Sequence, residues 1–102
     1  MELIMCGICG IYSFDETTVH QNQLQVMTDK MFMRGPDSEG YYCNHNIGLG
    51  FRRLAIIDLE TGDQPLTNED RSIWLVMNGE IYNYIELRKE LQAKGHIFST
   101  KS

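Results

Sequence analysis

Long hydrophobic runs are missing from this chain. None of its 102 residues lies in an apolar stretch approaching the ~18–20 that a membrane-crossing helix needs. Positive charge is scarce too: nine Lys and Arg against fourteen Asp and Glu leave a net charge of −5. With those cations scattered, a surface that tracks phosphates is excluded, and neither nucleic acid nor a membrane is expected as a partner. Cysteine is sparse and odd in number, three in all, so no complete internal disulfide framework fits. The thiols are read as reduced and the compartment as cytoplasmic. Residues 3–12 are apolar or glycine throughout, but no basic segment precedes them and no small-residue cleavage site follows, which excludes a secretory signal. Repeats, low-complexity tracts and linkers are absent as well.

What is present is enough for one small domain, with 42% apolar residues and room for a modest core. Residues 7–14 read as a strand, with Ile8, Tyr12 and Phe14 sharing a parity. Thr18, with Gln21 three residues on, has the pattern of a capping box. Leu24, Met27 and Met31 then give an amphipathic helix over 19–33. Arg34-Gly35-Pro36-Asp37 stops it, because proline and its predecessor disfavour helix. Residues 39–43 and 46–51 read as a hairpin turning near Asn44-His45. There Gly48 and Gly50 alternate with Ile47, Leu49 and Phe51, so something can pack close on the glycine side. Strands are expected at 54–59 and, covered on both faces, at 73–77, with a turn over 61–65 between them. Asn83, with Glu86 at the third helical position, opens a second helix striped by Tyr84, Leu87 and Leu91. Gly95 closes it, and 96–98 begins another strand.

The stretch with the most chemistry is Met5-Cys6-Gly7-Ile8, which sets a thiol beside a glycine at the mouth of an apolar run. In a chain cut after Met5, Cys6 carries both the thiol and a free α-amine. That amine has a pKa of about 7.7–8.0 and can take the thiol proton at neutral pH. Joined to Met5, the same nitrogen is an amide without basicity.

Four stretches occur in order: Met5-Cys6-Gly7-Ile8, Arg34-Gly35-Pro36-Asp37, Arg52-Arg53-Leu54-Ala55-Ile56-Ile57-Asp58 and Asn78-Gly79-Glu80-Ile81-Tyr82-Asn83. Together they resemble the glutaminase domain of class II glutamine amidotransferases, and specifically the asparagine synthetase type. The resemblance covers residues 5–102. It implies an α+β fold, an αββα sandwich of the N-terminal-nucleophile hydrolase type. Residues 1–102 would be the N-terminal half of it, a partial glutaminase domain in which 1–5 form an extension ahead of the nucleophile. Cys6 would attack the carboxamide of glutamine, release ammonia and leave a γ-glutamyl thioester for water to hydrolyse. Asn78, through its side-chain amide, and Gly79, through its backbone N–H, would face the oxyanion, with glycine leaving room for a ligand. Arg53 would hold the α-carboxylate as a fork. Glu80 would accept from the α-ammonium, and Asn78 joins them as a substrate-binding residue.

The same resemblance implies no metal or cofactor in this stretch. ATP and magnesium would belong to a synthetase domain or subunit that amidates aspartate, which these residues do not contain. Glutamine and that synthetase part are the implied partners, and bare strand edges imply a homo-oligomer. Because Glu2 follows Met1, removal of Met1 is expected to be blocked and the chain as written to turn over little glutamine. Other readings stay open. Cys6, Cys9, Cys43 and His45 could form a Cys3His zinc module, or the chain could be a non-enzymatic remnant that binds glutamine or a partner. Cys9 and Cys43 are otherwise read as small buried residues. Arg34 and Asp37 are read as an ion pair or a turn brace, Asp58 as a strand-end cap and Arg52 as the solvated neighbour of Arg53. Those two arginines exchange roles if the register is off by one. His20, His45 and His96 show no partner pattern.

Overall fold

Alternating glycine decides how the core is built. The computed structural model describes residues 6–54 and 62–101. Its first half runs β1 (Gly7–Tyr12), α1 (Gln21–Asp29), β2 (Ser38–Asn44) and β3 (Ile47–Arg53). The three strands form an antiparallel sheet in the order β1-β3-β2, so the glycine-bearing strand lies in the middle. Helix α1 lies on the glycine side. A Cβ on Gly48 would stand 2.8 Å from Val19 Cγ1 and 2.9 Å from Leu24 Cδ1, and one on Gly50 would stand 2.9 Å from Thr28 Cγ2. Val19, Leu24 and Thr28 are buried there, which is the close approach that the alternation predicts.

The opposite face carries Ile8 against Phe51, Tyr42 against Leu49 and Tyr12 against Ile47. A two-stranded sheet, β4 (Leu66–Thr67) with β5 (Trp74–Leu75), comes against it. Trp74 stacks on Tyr42 at 3.9 Å between centroids, 16° from parallel, and the Gln64 carbonyl lies where a Cβ on Gly40 would be. Phe51 is buried, while Ile8 and Tyr12 remain exposed. Helix α2 (Tyr84–Ala93) follows and buries none of its residues. The architecture is small and α+β, with antiparallel sheets and two helices. Among the described residues, no helix is long and apolar enough to cross a membrane.

Several boundaries differ from the sequence expectation, each because a backbone group finds another partner. Strand β1 ends at Tyr12, since Asp15 gathers Ser13 Oγ (2.6 Å), Thr17 Oγ1 (2.6 Å) and Thr17 N–H (3.0 Å) into a turn. The Ser13 and Thr17 hydroxyls lead in pulling the Asp15 carboxyl down to about 2. The first helix starts at Gln21 rather than 19, and its cap is His20, not Thr18. Val19 N–H donates to the His45 carbonyl at 2.7 Å, which keeps the chain extended along the hairpin end. Gln23 Oε1 then accepts from His20 N–H at 2.8 Å, doing at the third helical position what Gln21 was expected to do. The helix ends at Asp29, four residues before the expected 33, and turns carry the chain through residues 30–34.

The strand expected over 73–77 is only Trp74–Leu75. It is not covered on both faces, Leu75 being 50% exposed, because the described cover reaches only as far as the Tyr42 stack. Residues 96–98 are not a strand. His96 N–H donates to Leu91 O and Gly95 N–H to Gln92 O, both at 3.0 Å, closing α2 with Gly95 at φ +96°. Ile97 N–H goes to Glu69 Oε1 at 3.1 Å. Of the strand expected at 54–59, residues 55–59 lie outside the described residues.

If the helix rests on bare glycine, Gly48→Ala forces Val19 and Leu24 off the sheet. Urea unfolding should show a loss of about 1–3 kcal/mol. A loss below about 0.5 kcal/mol, the range of ordinary surface changes, would mean that α1 does not sit there.

Candidate active site

The register of β1 against β3 pairs Gly7 with Arg52. One step further, the same register sets Cys6 against Arg53. The thiol is half-buried and engaged with the next peptide: Leu54 N–H donates to Cys6 Sγ at 3.2 Å, and the S–H reaches the Leu54 carbonyl at 3.6 Å. Strand alternation puts Arg53 on the face opposite α1, with Phe51 and Leu49. Its side chain is 6% exposed, and Nη1 lies 3.1 Å from Asp63 Oδ1. That same oxygen accepts from Ser38 Oγ at 2.8 Å, and Ser38 is the cross-strand neighbour of Arg53. A thiol and a buried guanidinium thus share one end of the sheet.

Arg52 faces the other way and is not the solvated neighbour expected. Its side chain is 12% exposed. Nε donates to the Thr28 carbonyl at 3.2 Å, and Nη2 meets Glu39 Oε2 at 2.9 Å and Asp29 Oδ1 at 3.4 Å. The guanidinium lies 5.3 Å from the Phe32 ring centroid. The cause is parity: residue 52 projects under the C-terminal turn of α1, whose open carbonyls favour a cation. Tyr41 joins this network through Thr28 Oγ1 at 2.7 Å and Glu39 Oε2 at 2.9 Å, and burial pushes its hydroxyl pKa up.

Arg34-Gly35-Pro36-Asp37 braces this corner through its backbone. A Cβ on Gly35 would collide with the Arg52 carbonyl carbon and stand 2.7 Å from Arg53 N, and Asp37 N–H donates to Arg53 O at 3.0 Å. Only glycine lets the segment lie against the Arg52–Arg53 peptide.

Asn78, Gly79 and Glu80 follow β5. Asn78 is half-buried, while Gly79 and Glu80 are exposed. The link to the Arg53 corner is Gln64, whose amide clasps the Met77 peptide. Its Oε1 accepts from Met77 N–H at 2.6 Å, and its Nε2 donates to Met77 O at 3.1 Å. The loop carrying Asp63 therefore also holds the residue before Asn78. At Gly79, an added Cβ would meet only the tip of Met77, 3.2 Å away at Cε.

Sequence reasoning missed Ser38, Asp63 and Gln64. The last two were read as parts of a turn, and ten residues separate Asp63 from Arg53, so no periodicity joins them. Cys9 is half-buried with its thiol pKa pushed up by burial, but Cys43, near the hairpin end of β2, is exposed and not the buried residue expected. His96, read as having no partner, has Nδ1 3.1 Å from Glu69 Oε1. The position expected for the Asp58 cap lies outside the described residues. Among the described residues, no three His, Cys, Asp or Glu side chains gather in a way that would hold a metal ion, so the Cys3His arrangement finds no support.

The family model described as a glutamine amidotransferase domain matches residues 5–102. The chain belongs to that family, in its class II form, and matches asparagine synthetases at 40–48% identity. It is 48% identical over 101 residues to asparagine synthetase [glutamine-hydrolyzing] 1 of Bacillus subtilis (strain 168), covering 96% of this chain and 16% of that protein. It is 46% identical over 99 residues to asparagine synthetase [glutamine-hydrolyzing] of Brassica oleracea, covering 96% and 17%. To the probable asparagine synthetase [glutamine-hydrolyzing] of Dictyostelium discoideum it is 44% identical over 100 residues, covering 96% and 18%. The chain thus spans about a sixth of the length of the curated relatives it matches.

The Arg52 network generates a stability prediction. Arg52→Lys replaces a planar fork by one ammonium that cannot serve Thr28 O, Asp29 and Glu39 together. Thermal or urea unfolding should register a loss of about 1–3 kcal/mol. Unchanged stability would mean that the three contacts do not fix the end of β3.

Proposed function

We propose that this chain supplies the glutaminase chemistry of a glutamine-dependent asparagine synthetase, hydrolysing glutamine to glutamate and ammonia. The observation that carries the reading is that the Cys6 thiol is held by the Leu54 peptide, next in the chain to the buried Arg53, at one end of the β1–β3 ladder. In the proposed reaction Arg53 takes the α-carboxylate of glutamine, with Glu80 and Asn78 on the polar groups around the α-carbon. Cys6 Sγ attacks the carboxamide carbon. The Asn78 amide and Gly79 N–H stabilise the oxyanion, ammonia leaves, and water cleaves the resulting γ-glutamyl thioester. Leu54 N–H, already 3.2 Å from the sulfur, supports the thiolate as its proton departs. The layering of α1, the three-stranded sheet and β4–β5 is compatible with one side of an αββα sandwich of the N-terminal-nucleophile type. In the whole protein, ammonia would pass to an ATP- and magnesium-dependent synthetase part acting on aspartate.

The base in this scheme is the α-amine of Cys6, which exists only where the Met5–Cys6 peptide bond does not. Ammonia release from glutamine should therefore be higher in protein beginning at Cys6 than in protein carrying Met1–Met5, by about a hundredfold or more. Cys6→Ala should be inactive in both forms. Equal turnover with and without the five residues would refute the amine as base, and turnover surviving Cys6→Ala would refute the nucleophile.

A further inference from the structure

The guanidinium proposed to receive glutamine already has a resident anion. Asp63 Oδ1 stands 3.1 Å from Arg53 Nη1 and is steadied by Ser38 Oγ at 2.8 Å. The two partners differ sharply in setting: the Arg53 side chain is 6% exposed and that of Asp63 61%. The cation is therefore the fixed member, and the carboxylate stands at the solvent rim. Placed there, it lowers the positive potential that Arg53 offers to any incoming anion.

We propose that Asp63 is a specificity-determining residue, a charge filter that makes the site favour glutamine over glutamate. The inference rests on the glutaminase reading above. Glutamine and glutamate share the α-carboxylate and α-ammonium and differ at the far end, where one is a neutral amide and the other a carboxylate. Glutamine is net neutral, and glutamate carries one net negative charge. A fixed negative charge at the rim repels the far-end carboxylate of glutamate and not the neutral amide of glutamine, so it penalises glutamate by an amount that falls as the far end lies further from Asp63. The hydrolysis product is the more anionic ligand, and the same repulsion speeds its departure. Discrimination here comes from an unfavourable term against the wrong ligand rather than from a new contact to the right one.

The test is isothermal titration of glutamine and of glutamate into the full chain, comparing the parent protein with Asp63→Asn and Asp63→Ala. Asparagine keeps an oxygen that accepts from Ser38 and Arg53 while losing the charge, and alanine removes both. The ratio of the glutamate Kd to the glutamine Kd should fall about two- to fivefold in each variant, the size expected of a partly exposed charge pair. About 0.5 M salt should shrink the difference between variant and parent. An unchanged ratio, with both ligands still binding, overturns the filter and leaves the glutaminase reading standing. An equal weakening of both ligands also overturns it, because that is the mark of a residue that merely props Arg53. A parent protein that binds neither ligand removes the glutaminase reading and the filter with it.

Discussion

The antiparallel register of β1 against β3 is the constraint on which the rest depends. A slip of one residue would turn Arg53 under α1 and Arg52 toward Cys6, since side chains alternate faces along a strand. What prevents the slip is steric. Gly48 and Gly50 are the positions that admit Val19, Leu24 and Thr28, and no other residues of β3 lack a Cβ. Arg52 adds a polar lock by spanning the end of α1 and Glu39. The helix-facing side of the sheet therefore fixes the geometry of the face that carries the thiol.

The second face is organised by a few side-chain hydrogen bonds beside the buried Phe51 and Arg53. Gln64 grips the Met77 peptide, Asp63 grips Arg53 and Ser38, and Gly40 gives way to the Gln64 carbonyl. These few polar contacts join the three-stranded sheet to the stretch running from β4 to Asn78. The stacked pair Tyr42 and Trp74 adds an apolar contact on that side. Such an arrangement fixes the positions of individual groups through a few specific contacts.

Much of the fold was legible in the sequence because its signals are local. The 47–51 alternation, the hairpin turn and the Gly95 stop of α2 each follow from residue shape or turn chemistry, and the structure has them; α2 also starts after Asn83 as expected, but the Asn83 side chain makes no capping hydrogen bond. The misses share a cause. The Thr18 cap, the covered strand at 73–77, the strand at 96–98 and the solvated Arg52 all rest on neighbours in sequence. Each was decided instead by a distant group: His45 O for Val19, Tyr42 for Trp74, Glu69 for Ile97, and Thr28 O, Asp29 and Glu39 for Arg52. At the site, Cys6 and Arg53 stood out through motif resemblance. Asp63, Gln64 and Ser38 carry no local pattern, because their roles exist only once the strands have paired.

In the proposed reaction a thiol and a guanidinium serve one ligand. The most direct measurement is the rate at which a glutamine-mimicking chloroketone alkylates each of the three cysteines, read by peptide mass with and without Arg53→Gln. The account predicts that Cys6 reacts ahead of Cys9 and Cys43, that glutamine protects it, and that Arg53→Gln removes both the preference and the protection. Labelling of Cys6 that ignores Arg53 and glutamine would contradict it.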